Sequence, residues 1–306
     1  MRYPLLYLSA GVHLALIVVQ ILFASLSVAG KEVLPQLGPF ALVMFRSGSA
    51  AICFLAWARQ LPAPRDLLRL ALYGLLGVTF NQLLFLTGLQ YTTATNATVL
   101  GTMIPVWTVA IAILLRREPA DPRRIIGVAV ALAGALYLVG AERFTVAERG
   151  NILILLNALS YAFFLVLARD ITKRYPARTV MAWCFFFGSL GVSVVGAPAV
   201  AHLSFAAVPT RTGAWLAFII AGPTLGAYIL NTWALARAQA SQVAIYVYLQ
   251  PVITALMAWP LLHERPAART WISAGIIYAG IYIATGSALI RRAAERLPSK
   301  GASSSS

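Results

Sequence analysis

Ten uninterrupted apolar runs, each about as long as a bilayer is thick, constrain this chain more than any motif does. They lie at about 8–29, 36–58, 67–89, 95–115, 124–141, 150–169, 178–198, 212–235, 241–262 and 270–290. A helix rises about 1.5 Å per residue, so roughly 20 apolar residues cross a hydrocarbon core of about 30 Å. The breaks between runs are punctuated by Pro, Gly and charge, as in "KEVLPQLGP", "RREPADPRR" and "HERPAAR". A membrane β-barrel would show shorter segments of alternating polarity. Composition agrees: only 11% of residues are charged, against about 25% in a soluble domain, too few to coat a water-facing surface. The expected fold class is an all-α membrane protein with ten transmembrane helices.

Charge then orients the chain. With ten spans and an inside N-terminus, seventeen Lys and Arg fall on one face, six on the other, and Arg46 inside a span. This is the positive-inside bias. It places both termini in the cytoplasm of a multi-pass protein of the inner (plasma) membrane. It also accounts for the net charge of +15 with no nucleic-acid partner. The first run, closing on "SVAG", is longer than a signal-peptide core of about 7–15 residues and reads as a retained helix. Cys53 and Cys184 lie in apolar runs and behave as small hydrophobes. No Cys/His metal spacing, Gly-rich phosphate loop or catalytic dyad appears, so neither a metal, a cofactor nor an enzyme is expected. Residues 291–306 form a basic, Ser-rich tail.

The chain also repeats itself. A shift of 146 residues lays helices three to five on helices eight to ten without a gap. Pro105 then falls on Pro251, Thr108 on Thr254, Glu118 on Glu264 and Gly134 on Gly280. A shift of 137 serves the first two helices, placing Gln20 on Asn157 and Pro39 on Pro176. The halves are 1–143 and 144–290, and each holds five helices. Five is odd, so the second half enters the membrane upside down. Inverted repeats are typical of secondary transporters, whose solute site lies near the midplane. Glu118 and Glu264, each closing a helix beside a proline, are read as structural, holding turns through nearby Arg and backbone amides. Gly127 and Ala131 in helix five, and Gly275 and Ala279 in helix ten, are four apart and read as close-packing faces.

Five-plus-five inverted repeats, a Pro in helices four and nine, a Glu after each, and Gly-rich helices five and ten resemble the EamA-type drug/metabolite transporter superfamily. The resemblance covers about residues 8–290. The stretches "NQLLFLTGLQYTTAT" and "RYPAR" are similar to its plant nodulin-like amino-acid and auxin transporters. The resemblance implies a basket of helices one, three, four, six, eight and nine around a central cavity, with helices two and seven flanking.

Polar residues inside spans are costly unless paired or lining water, so their faces are informative. Gln20 shares a face with His13 and Ser27, and Asn81 with Phe85. Helix four carries Asn96 and Trp107 on one stripe, and helix six Asn157 and Tyr161. Helix eight carries Asn231, and helix nine Tyr246 and Gln250. All ten are candidate substrate-binding residues, with interhelical hydrogen bonding as their competing role. Arg46 is assigned a structural role, alongside Pro105 and Pro251, with a grip on a substrate carboxylate as its alternative. Neutral amides and aromatics suit an uncharged or zwitterionic solute with an apolar side chain, such as an amino acid. The expected function is outward transport of such metabolites by alternating access; the alternative is a non-transporting membrane receptor or assembly partner. Expected partners are the small-molecule substrate and the lipid bilayer, with a homodimer left open.

Overall fold

The computed structural model describes residues 9–58, 60–117, 122–139, 146–204, 208–238 and 240–295. Regular structure among the described residues is entirely helical. Helix α1 spans Ala10–Trp57, α2 Pro64–Gly74, α3 Asn81–Tyr91, α4 Ala94–Gly101 and α5 Met103–Leu114. Next come α6 Pro122–Val139, α7 Val146–Ala168 and α8 Ala177–Ala201. The last are α9 Thr210–Ile219, α10 Ala227–Leu235, α11 Ala240–Ile245, α12 Gln250–Leu262 and α13 Ala268–Glu295. Grouped across short breaks, seven described helical stretches are long and apolar enough to cross a membrane.

The first stretch is α1, whose 48 residues would measure ~72 Å if straight, more than twice a hydrocarbon core. It does not run straight. Gly38 holds φ 68 and ψ 168 inside it, a backbone conformation essentially confined to glycine, flanked by Pro35 and Pro39. The chain changes direction there, so the helix runs on through most of the expected loop at "KEVLPQLGP" and breaks at one point near its end.

Two other stretches contain π-helical turns at matching places. Leu75–Phe80 joins α2 to α3, and Ile220–Gly226 joins α9 to α10; under the 146-residue shift, Leu75–Phe80 lands on 221–226. A π turn leaves carbonyls without their usual partners, which inside a membrane must be satisfied by neighbours. The Ser160 hydroxyl donates to Leu76 O at 2.8 Å, and the Tyr228 hydroxyl to Gly77 O at 3.3 Å. In the second copy Pro223 lacks the N–H that would bond Ile219 O, and the Thr224 hydroxyl takes that carbonyl at 2.8 Å.

The prolines of the opening repeat also break their helices. Thr102 separates α4 from α5 three residues before Pro105. A 3₁₀ turn at Tyr246–Leu249 separates α11 from α12 just before Pro251. The Tyr278 hydroxyl donates to the Tyr248 carbonyl at 3.0 Å.

Helices α6 and α13 meet through glycine, at the expected Gly127 and Ala131 face of α6 but on a different face of α13 from the expected one. A Cβ on Gly280 would lie 2.4 Å from Ala131 N and 2.6 Å from Gly127 O. Gly275 and Ala279 are exposed, and Gly275 has nothing within 4 Å. Ser273, Ala274, Ile277 and Gly280 turn inward instead, and the Ser273 hydroxyl donates to Gly134 O at 2.7 Å. The error was one of helical phase: Gly275 lies five residues from Gly280, about 140° around the helix.

Ion pairs lie at the helix ends and join loops that the charge count put on a common face. Asp66 meets Arg69 and Arg174, Arg117 meets Asp170, and Glu32 meets Arg211 at 3.0 Å. Glu264 accepts from the backbone N–H groups of Ala94 at 3.0 Å and Thr95 at 3.4 Å. It thus caps the first turn of α4, where a carboxylate is favoured by the helix dipole, rather than bonding within its own turn. Glu118 lies outside the described residues, as do the boundary at 143/144 and much of the C-terminal tail.

Candidate functional site

The helices enclose a central cavity of about 650 Å³ of space between atoms, open at part of its boundary. Of the ten residues singled out as substrate-binding, seven line it: Gln20, Asn81, Phe85, Asn157, Tyr161, Asn231 and Gln250. They come from α1, α3, α7, α10 and α12. Both halves of the chain therefore contribute.

These polar groups are largely bonded to one another. The Gln250 amide donates to Gln20 Oε1 at 2.6 Å, tying α12 to α1. Asn157 Nδ2 donates to the Asn81 carbonyl at 2.7 Å, and Asn231 Nδ2 to the Tyr161 hydroxyl at 2.8 Å. The Tyr228 hydroxyl lies 3.1 Å from Asn81 Oδ1. Phe23 packs edge-on against Tyr228, and Tyr161 stacks on Phe164, both at 5.6 Å. The wall is apolar between a few oriented amides.

Asn96, Trp107 and Tyr246 are outside this lining. Asn96 Oδ1 accepts from Thr270 at 2.7 Å at the start of α13. Trp107 lies on the far side of the Thr102 break, so the stripe drawn from Asn96 through a continuous helix does not hold its phase. Tyr246 sits on the 3₁₀ turn and bonds His13 of α1. Pro105 and Pro251 stand directly beyond the two helix breaks.

Arg46 lines the cavity too, reaching in from the half of α1 after Gly38. It is 1% exposed. Its Nε donates to Thr224 Oγ1 at 2.9 Å, the hydroxyl that caps the carbonyl freed by Pro223. Nη2 is buried without a partner. Gln82 and Tyr228 are further lining residues that the sequence reading passed over. The 146-residue shift places Gln82 on Tyr228, and that pairing of polar positions was the signal available. Both atoms of the Gln82 amide are buried without a hydrogen bond of good geometry, beside Tyr228.

The sequence profile of the EamA-like transporter family matches residues 10–140 and again residues 148–286. The chain belongs to the EamA-like transporter family. It is similar to an uncharacterized transporter of Archaeoglobus fulgidus, at 31% identity over 91% of this chain and 98% of the relative. It is also similar to the protein WALLS ARE THIN 1 of Arabidopsis thaliana, at 27% identity over 88% and 81% of the two chains. A probable terminal-alkyne amino-acid exporter of Streptantibioticus cattleyicolor is 24% identical over 78% of this chain and 80% of its own. One solved crystal structure shares the fold, with a TM-score of 0.66, 18% identity and 92% and 98% coverage. This EamA protein is therefore a multi-pass membrane transporter by family, not an enzyme.

Proposed function

We propose that this EamA protein is a secondary transporter that moves small metabolites, amino acids or related zwitterionic and aromatic compounds, outward by alternating access. The observation that carries the reading is the cavity, enclosed by helices of both halves and lined by paired amides and aromatic rings. Such a surface offers hydrogen bonds to a polar head and an apolar wall to a side chain. A relative named as a probable amino-acid exporter agrees with this solute class.

The proposed architecture is ten spans in two inverted five-helix repeats, 1–143 and 144–290, with both termini in the cytoplasm of the inner membrane. Three features support it. The family profile matches twice. The π turns recur at matching positions of the two halves. Gly134 and Gly280, repeat mates, lie at one α6–α13 interface, as expected near a pseudo-two-fold axis. The mid-span breaks before Pro105 and Pro251 fit the discontinuous helices from which transporter sites are built.

The test is flux. Purified protein in proteoliposomes is expected to move at least one labelled amino acid faster than empty vesicles do. Absence of flux across a broad panel of amino acids and related metabolites overturns the reading.

A further inference from the structure

We propose that Arg46 and Gln82 form the subsite for a carboxylate of the transported solute, so that this cavity selects monocarboxylates. The proposal rests on the transporter reading and names the chemistry it leaves open. Arg46 is a permanently charged group that is almost completely buried, yet no acid answers it among the described residues. The four acids whose side chains are described are engaged elsewhere. Glu32 pairs with Arg211, Asp66 with Arg69 and Arg174, and Asp170 with Arg117. Glu264 caps α4.

Among the described residues only a neutral hydroxyl bonds the guanidinium, at Nε, and Nη2 is left without a partner at the cavity wall. A buried charge in that condition is costly until an anion or a set of dipoles answers it. The Gln82 amide, which has only a poorly aligned contact to Tyr228, lines the same cavity and offers a second donor. A planar guanidinium fork matches a carboxylate, and charge-assisted bonds to it are among the strongest available. Arg46 is the single cation in the described lining, which balances a monoanion and falls short of a phosphate dianion. Phe23 and Phe85 line the same space and provide an apolar surface for the rest of the solute.

The experiment compares matched solutes on the full-length protein: L-phenylalanine and L-leucine, each against its primary amide and its decarboxylated amine. Binding is read by ligand-induced thermal stabilisation in detergent, and flux in proteoliposomes. The acid should bind at least ten-fold more tightly than the amide or the amine. Arg46→Gln should bring all three within about two-fold, Arg46→Lys should retain part of the preference, and Gln82→Leu should weaken the acid several-fold. If Arg46→Gln does not fold, the wild-type preference and the Gln82→Leu loss decide the matter. Flux with no preference for the acid overturns the subsite and leaves the transporter standing. Selective binding of the acid without flux, of these solutes or of any in the broad panel, supports the subsite and overturns the transporter. A wild-type protein that neither binds nor moves any of the six solutes overturns the subsite.

Discussion

Adding one methyl group to α13 at two positions five residues apart should change stability in opposite directions. At Gly280 the new Cβ would meet Ala131 N at 2.4 Å, Gly127 O at 2.6 Å and Ala131 Cα at 2.9 Å. All three are backbone atoms, so no side chain can swing aside. Ordinary van der Waals contact begins near 3.4 Å, so α13 and α6 must part by about 1 Å at that point. A gap of that size forfeits a quarter to a half of each contact it opens, and overpacking of this kind costs about 1–3 kcal/mol. At Gly275 nothing lies within 4 Å, and Gly to Ala in a helix gains about 0.5–1 kcal/mol from backbone entropy alone. Gly280→Ala receives the same entropic gain, so the overpacking term sets the difference: Gly280→Ala should be less stable than Gly275→Ala by about 1–3 kcal/mol. Denaturant titration in one detergent, followed by tryptophan fluorescence, measures it. Equal stability, or the reverse order, refutes the close α6–α13 approach.

Glu264→Ala removes the acceptor for two amides at the first turn of α4 and should cost about 1 kcal/mol. Glu264→Gln should restore part of it; a silent alanine variant in the same titration refutes the cap. Reporter fusions after Lys173 and after Arg296 should both report cytoplasm, and a fusion after Arg143 the outside. A cytoplasmic signal at Arg143 refutes the five-plus-five inversion.

Period and polarity made the helices legible. An apolar run long enough to cross a bilayer has few other stable conformations, and of the ten candidates chosen by asking which side chains shared a helical face, seven line the cavity. The same reasoning lost phase wherever the helix departs from 3.6 residues per turn. Asn96 and Trp107 lie on opposite sides of the Thr102 break, and a stripe drawn through it has no physical continuity. The π turns at Leu75–Phe80 and Ile220–Gly226 insert a similar slip, and Gln82 and Tyr228, just beyond them, were the polar lining residues overlooked. Arg46 was visible as the one cation inside a span. Its direction was not, because it depends on Thr224 of another helix, 178 residues away.

The bonds within the cavity carry a consequence for the proposed cycle. The Gln250 amide donates to Gln20 Oε1, linking α12 to α1, and His13 and Tyr246 form a second link between α1 and the helix that α12 continues. A solute that takes hydrogen bonds from Gln20 or Gln250 must first displace the bond between them. Binding and helix separation then become one event, because an amide left buried and unpaired costs about 1–3 kcal/mol. The unpartnered Arg46 Nη2 and the Gln82 amide, held only by a poorly aligned contact to Tyr228, can receive a solute without breaking a well-formed bond. Entry at the arginine followed by exchange at the glutamines is the order in which no polar group is left unpaired. A ligand shifts a conformational equilibrium only as far as its differential contacts allow. In the proposed cycle the Gln20–Gln250 bond is the contact that parting α1 from α12 would break.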